Sequence, residues 1–124
     1  MLIHEKLTEQ IIGAAIEVHR ELGPGLLESA YLACMAHELS LRGISFHMEE
    51  ELPVIYKGVR IDCGYRLDIL VDEKVVVELK AVSEMHPVFE AQLLTYMRIS
   101  NCSVGLLINF HVPVLKNGII HRVL

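Results

Sequence analysis

The chain has 124 residues, of which 52% are hydrophobic and 22% are charged, and its formal net charge is −5. This length allows one domain with a substantial core and is too short for two, so we expect residues 1–124 to form a single domain. The acidic balance argues against a protein that grips phosphates over a broad basic surface, which needs clustered Lys and Arg. Any contact with nucleic acid must therefore be local or assisted by a metal ion.

Targeting and zinc-binding patterns are missing from the sequence. The first residues contain no basic segment followed by an apolar one, and no apolar run approaches the length that spans a membrane. The three cysteines are scattered and lack the close pairs of zinc sites. We expect a soluble, cytoplasmic protein without a membrane partner.

Two helices are predicted at the start of the chain. Apolar residues recur at three- and four-residue spacing from Leu7 to Leu22, which is typical of an amphipathic helix. Gly23-Pro24-Gly25 interrupts this pattern. A second helix is expected from about Leu26 to Leu41, with Gly43 as its stop.

Glu28 lies on an apolar stripe of the second predicted helix, together with Leu32, Met35 and Leu39. A carboxylate in line with buried positions needs a partner, because an isolated buried charge is costly. The alternative is a first-turn glutamate that the helix dipole favours.

The middle of the chain changes to a period of two, which predicts strands. Ile44 to Met48 read as a half-buried strand, and Glu49-Glu50-Glu51 as solvated. Three further strands are expected to complete an antiparallel meander, at Leu52–Tyr56, Val59–Val71 and Lys74–Lys80.

The last third of the chain predicts one helix and two strands. Pro87 suits the first turn of a helix that should end near Asn101. Val104–Phe110 and Ile119–Leu124 are rich in β-forming residues, and Asn117-Gly118 provides a turn signal before the second of them.

Charged residues occupy strand positions where apolar ones are expected. Glu78 and Lys80 are two apart and share one face, while Val75, Val77 and Leu79 share the other. A three-residue loop before Val75 would set Asp68 opposite Glu78, and a two-residue loop would set it opposite Val77.

Two adjacent carboxylates repel one another, and a hard cation such as Mg²⁺ relieves that repulsion while accepting oxygen ligands. Lys80 beside them can orient a water held by the cation or help to deprotonate it. The alternative is an exposed hairpin whose Asp68, Glu78 and Lys80 form surface ion pairs without function.

Three motifs resemble one known family. Asp68 followed by Glu78-Leu79-Lys80 resembles the metal-binding motif of the PD-(D/E)XK nuclease superfamily, although Leu67 stands where that name has proline. Gly25-Leu26-Leu27-Glu28-Ser29-Ala30-Tyr31 resembles the signature of the GxxExxY proteins, which are assigned to this superfamily. Gln92-Leu93-Leu94-Thr95-Tyr96 resembles the QxxxY motif of RecB-like members.

The resemblance implies an α/β domain of the α+β type, with a restriction-endonuclease-like α-β-β-β-α-β core and a mixed central sheet flanked by helices. It also implies that Glu28, Asp68 and Glu78 surround one or two Mg²⁺ or Mn²⁺ ions, with the backbone carbonyl of Leu79 as a further ligand. Lys80 would act on the attacking water.

Four further residues have two interpretations each. Some RecB-like relatives place a histidine ligand upstream, so His19 is a candidate ligand, although helix packing is favoured. By the resemblance, Gln92 and Tyr96 would support the site. The pattern favours this role for Gln92 and a core position for Tyr96, and for Tyr31 it favours core packing over a supporting role at the site.

The leading functional hypothesis is a metal-dependent nuclease that hydrolyses phosphodiester bonds, with DNA as substrate. The rival is a nuclease-fold module that binds a partner or nucleic acid without cutting it. A third hypothesis is that the acidic surface serves a basic protein partner or a homodimer.

Overall fold

The computed structural model describes residues 3–124 and contains three α-helices and seven strands. The helices are α1 (Glu5–Leu22), α2 (Glu28–Leu41) and α3 (Pro87–Ile99). The strands are β1 (Phe46–Glu51), β2 (Val54–Tyr56), β3 (Val59–Ile61), β4 (Arg66–Val71), β5 (Val75–Lys80), β6 (Val104–Asn109) and β7 (Ile119–Val123). A 3₁₀ turn at Leu115–Gly118 precedes β7.

The central sheet is mixed and has the strand order β1-β4-β5-β6-β7. Only β5 and β6 run parallel, and α3 connects them, since parallel neighbours need a crossover connection. The elements α2, β1, β4, β5, α3 and β6 give the expected α-β-β-β-α-β order. The predicted fold class is therefore confirmed, with α1, β7 and the β2–β3 pair as additions.

The sheet separates two apolar clusters. One joins the inner faces of α1 and α2 to Val75, Val77 and Leu79 of β5, all of which are fully buried. The other joins Leu93 and Met97 of α3 to the opposite side of the sheet. Glu78 and Lys80 alternate with the residues of the first cluster, so they belong to the α3 side.

The predicted meander is wrong in one respect. The segment expected as a single strand from Val59 to Val71 is broken at residues 62–65, where Gly64 has φ 78°. β2 and β3 pair only with each other, and β1 pairs directly with β4. Because β3 buries none of its residues, the hairpin lies outside the core.

The helices differ from the predictions mainly at their ends. α2 begins at Glu28 rather than Leu26, because Leu27 is extended, with ψ 150°. Leu27 is 77% exposed and Leu41 is 68% exposed, so neither belongs to the core stripe. Within residues 3–124, no helix has both the length and the apolar character needed to cross a bilayer.

Candidate active site

The β4–β5 hairpin sets the register of the central carboxylates. Its loop has three residues, 72–74, and the Lys74 N–H donates to the Val71 carbonyl at 2.9 Å. Val71 pairs with Val75 and Ile69 with Val77, so the same register sets Asp68 opposite Glu78. Of the two loop lengths considered from the sequence, the structure has the one that brings the carboxylates together.

Asp68 and Glu78 are joined by reciprocal contacts through the backbone. The Asp68 N–H donates to Glu78 Oε1 at 3.1 Å, and the Leu79 N–H donates to Asp68 Oδ2 at 2.7 Å. Each bond engages one oxygen of its carboxylate and fixes the orientation of that group. The two carboxyl groups also lie close enough for a side-chain hydrogen bond between them.

The environment of this pair disfavours two negative charges. Glu78 is only 6% exposed. Burial, followed by the charge of Asp68, raises its pKa to about 9. Burial also raises the pKa of Asp68, against the opposing effect of its hydrogen bond from Leu79. The metal-free pair therefore favours keeping one proton, which the two carboxyl groups share.

Lys80 ends β5 and supplies positive charge beside the pair. Its charge opposes the rise in the pKa of both Asp68 and Glu78. Its ammonium lies 4.5 Å from the centroid of the Phe89 ring, and this cation–π contact holds it against α3. Its carbonyl accepts from the Phe110 N–H at 2.9 Å, which anchors the end of the strand.

Glu28 reaches the neighbourhood of the pair from another element. It is the first residue of α2 and is exposed, and its place in the first turn is favourable to the helix dipole, which was the alternative interpretation of its position on the apolar stripe. Partial burial raises the pKa of its carboxyl, Lys80 lowers it and Asp68 raises it. Glu28 therefore shares an electrostatic environment with both of these residues.

Tyr31 and His19 support the structure around α2. The Tyr31 ring stacks on Phe110 at 4.4 Å between centroids, and its hydroxyl donates to the Gly23 carbonyl at 2.5 Å. The same hydroxyl accepts from the Leu26 N–H, so it orders the loop that leads to Glu28. His19 Nε2 donates to the Val112 carbonyl at 2.8 Å, which agrees with a packing role.

Gln92 and Tyr96 occupy successive turns of α3. The charges of Glu78 and Asp68 act on Tyr96, whose pKa is raised first by burial and then by these groups. Gln92 is exposed, and no hydrogen bond joins it to either carboxylate among residues 3–124. The sequence pattern favoured Gln92 as the residue that supports the site. In the structure it is Tyr96 that lies nearer the carboxylates.

Glu49 is a carboxylate near the site that the sequence pattern did not indicate. β1 pairs Met48 with Ile69 and Glu50 with Leu67, so Glu49 occupies the position between them, level with Asp68, where its backbone is left-handed, with φ 50°. Its charge raises the pKa of Asp68. The strand spacing could have identified Glu49 only if the pairing of β1 with β4 had been known.

Comparison with known families decides how this arrangement is classified. A profile of the PD-(D/E)XK nuclease superfamily matches residues 5–123. The chain belongs to the PD-(D/E)XK nuclease superfamily. Comparison with curated proteins and with solved structures gave no significant match. The narrower likeness to the GxxExxY proteins stays a prediction.

Membership of the PD-(D/E)XK superfamily indicates a nuclease-type function with nucleic acid as the ligand class, and nucleases of this superfamily generally use divalent metals. Among residues 3–124, no three acidic, histidine or cysteine side chains converge as a ready metal cage. Mg²⁺ is commonly held by one or two carboxylates, waters and substrate phosphate. The donor chemistry of Asp68 and Glu78 fits that kind of site.

Proposed function

We propose that this chain is a single-domain, Mg²⁺- or Mn²⁺-dependent nuclease that hydrolyses phosphodiester bonds in nucleic acid, with DNA as the substrate. The observation that carries the proposal is the pair formed by half-buried Asp68 and buried Glu78, fixed by reciprocal backbone hydrogen bonds and followed by Lys80. Two carboxylates buried together are costly unless a proton or a cation compensates them. A site maintained at that cost is a functional candidate.

The residues have distinct proposed roles. Asp68 and Glu78 hold the cation with the Leu79 carbonyl, and Glu28 contributes a further carboxylate from α2. A divalent cation held there would lower the pKa of water and stabilise negative charge on the phosphate. Lys80 orients the attacking water and assists its deprotonation, because its ammonium shares the site with both carboxylates.

Three residues are proposed to support this centre. Tyr96 lies within the field of the pair and borders the substrate, and Gln92 lies one turn before it. Tyr31 positions the start of α2 through its hydroxyl. We assign His19 to helix packing, because Val112 already engages its Nε2.

Calorimetric titration of Mn²⁺ into the metal-free protein tests the proposal. We expect saturable binding that Glu78→Ala abolishes and that Glu9→Ala, a matched change of an exposed glutamate on α1, leaves unchanged. Circular dichroism establishes that all three proteins are folded. The titration is repeated with a dinucleotide, since substrate phosphate can complete a Mg²⁺ site.

The rival module that binds without cutting predicts a different result. A folded wild-type protein that binds no Mn²⁺, with or without the dinucleotide, would contradict the proposed nuclease. Binding that survives in Glu78→Ala would show that the cation lies elsewhere.

A further inference from the structure

A groove extends along α3 from Tyr96 and Gln92, and its other lining residues have no role in the proposed chemistry. It has a volume of about 440 Å³, within the range of roughly 300 to 1,000 Å³ that small-molecule sites occupy. Residues of α3 line it together with Val54 of β2 and Tyr65, which immediately precedes β4. The lining residues are Val54, Tyr65, Val88, Ala91, Gln92, Thr95, Tyr96 and Ile99.

Two tyrosines give the groove an aromatic wall. The rings of Tyr65 and Tyr96 have centroids 6.3 Å apart and are inclined at 52°, so they contact one another without stacking face to face. Tyr65 is 48% exposed and keeps much of its ring surface open to the groove. Exposed aromatic rings of this kind are the surfaces on which unpaired bases stack.

Polar groups along α3 complement the aromatic wall. Gln92 and Thr95 are exposed and belong to the lining. An amide and a hydroxyl provide both donors and acceptors, which the edge of a nucleobase can engage. The groove thus combines a flat apolar surface with adaptable hydrogen-bonding groups.

The groove is continuous with the candidate active site through Tyr96. Tyr96 lines the groove and also packs against the apolar cluster on the α3 side, which contains Leu67, the neighbour of Asp68 in β4. A nucleotide whose phosphate lies at the carboxylates would therefore have its base, or that of its neighbour, next to this wall.

Charge around the site favours a ligand held through its bases. The chain has a net charge of −5, and Glu49, Glu50 and Glu51 are exposed on β1 beside β4. Arg66 lies 3.8 Å from Glu49, and it forms a second ion pair with Glu51. Phosphate attraction is therefore weak here for any nucleic acid, so a ligand depends on contacts to its bases, and a duplex keeps its base faces inaccessible.

We propose that the Tyr65–Tyr96 groove binds an unpaired nucleobase of the strand being cut, so that the enzyme acts on single-stranded nucleic acid. This inference rests on the proposed nuclease function for its substrate and assigns Tyr65 as a specificity-determining residue. Selectivity arises because only an unstacked base can enter the groove.

The test uses the full chain with fluorescein-labelled single-stranded and duplex oligonucleotides of one sequence, as DNA and as RNA. Binding is measured by anisotropy without divalent metal, and cleavage is measured with Mn²⁺. We expect tighter binding and faster cleavage of the single strand. Tyr65→Ala should weaken single-strand binding roughly 5- to 150-fold, the range for one stacked base, whereas Tyr65→Phe should retain it.

Two controls separate stacking from a structural effect. Tyr56→Ala changes another exposed tyrosine outside the groove lining and should leave binding unchanged. An oligonucleotide with a run of abasic positions should bind wild type and Tyr65→Ala equally. For each protein, the affinity for the intact strand is compared with the affinity for the abasic strand. If this ratio is as large in Tyr65→Ala as in wild type, the assignment of Tyr65 is overturned.

The outcomes separate the two proposals. Cleavage that does not distinguish single strands from duplex and is insensitive to Tyr65→Ala overturns the inference and leaves the nuclease standing. Single-strand binding that depends on Tyr65, without any cleavage, supports the groove as a site for an unpaired base but contradicts the nuclease, and with it the claim that the bound strand is cut. Absence of oligonucleotide binding by folded wild type overturns the inference.

Discussion

The two faces of the central sheet bury different kinds of side chain. Toward α1 and α2, β5 presents Val75, Val77 and Leu79, all fully buried in an apolar cluster. Toward α3, the same strand presents Val76 and then Glu78, which is almost as inaccessible. Burying each apolar side chain contributes about 1.5–3 kcal/mol, whereas burying a carboxyl group is costly.

This difference assigns separate tasks to the two faces. The α1 and α2 face stabilises the fold, and the rigidity that it gives β5 allows the opposite face to hold a carboxylate pair in one geometry. Two buried polar residues show what sets the carboxylates apart. Asn109 is neutral and satisfies its amide with the backbone of Val82 and His111, whereas Glu78 accepts from the Asp68 N–H and lies beside a second carboxylate that raises its pKa.

The largest expected effect concerns chemistry on the α3 face. Asp68→Asn keeps an acceptor for the Leu79 N–H and removes the charge, so cleavage should fall by about 10³-fold or more while the protein stays folded. Initial rates on a labelled oligonucleotide measure this. Asp72→Asn, in the loop of the same hairpin, is the matched control and should retain full activity.

Much of this site could be anticipated, because its parts lie close together in sequence. Alternation assigned Glu78 and Lys80 to one face, and the resemblance added Glu28. The pairing of Asp68 with Glu78 stayed open because it depends on loop length, which the left-handed backbone of Asp72 and Glu73 settles.

Features set by distant segments could not be derived from local patterns. The β2–β3 hairpin consists of strand-forming residues although it packs on no core. Its sequence pattern therefore could not show that it lies outside the central sheet. Glu49 and Tyr96 approach the carboxylates only because β1 and α3 pack where they do. The helical stripe aligned Glu28 with buried positions and left open whether it was a first-turn residue, because the exact start of α2 does not follow from the spacing.

A cavity made by mutation on the sheet face toward α1 and α2 should lower stability and leave the cleavage chemistry intact. Leu106 is fully buried among the residues that face α1 and α2, so Leu106→Ala should lower the free energy of unfolding by about 2–5 kcal/mol. Urea denaturation measures the change, and the rate per folded molecule should stay near that of wild type. Leu41→Ala, at a 68% exposed position, should cost under about 0.5 kcal/mol.

A loss of cleavage in folded Leu106→Ala as large as that in Asp68→Asn would contradict the division between the faces. It would indicate that packing against α1 and α2 also sets the geometry of the carboxylates.

The protonated pair predicts how stability depends on pH. The pKa of Glu78 is about 9 in the folded chain, against an ordinary value of 4.5. Between pH 4.5 and 9 the folded state binds one proton more than the unfolded state. The contribution of Glu78 to the free energy of unfolding of the metal-free protein should therefore be highest below pH 4.5 and fall as pH rises toward 9. The slope is at most about 1.4 kcal/mol per pH unit. Urea midpoints from pH 5 to 9 measure it.

Glu78→Gln keeps an oxygen acceptor for the Asp68 N–H and cannot ionise, so its stability should vary less over this range. Mn²⁺ binding to wild type near pH 7 should release a proton, which calorimetry in two buffers of different ionisation enthalpy detects. Equal pH profiles for wild type and Glu78→Gln would place the buried proton elsewhere.

The smallest expected effect tests the link between the two faces at α2. Tyr31 packs on Phe110 within the apolar cluster, and its hydroxyl bonds Gly23 and Leu26 just before Glu28. Tyr31→Phe preserves the stacked ring and removes these bonds, so it should cost about 0.5–1.5 kcal/mol of stability.

If the ordered loop also positions Glu28, affinity for Mn²⁺ should fall severalfold, whereas Tyr56→Phe on the exposed hairpin should change neither quantity. A stability loss with unchanged Mn²⁺ affinity would mean that Tyr31 serves only the packed face and that Glu28 reaches the pair without its help.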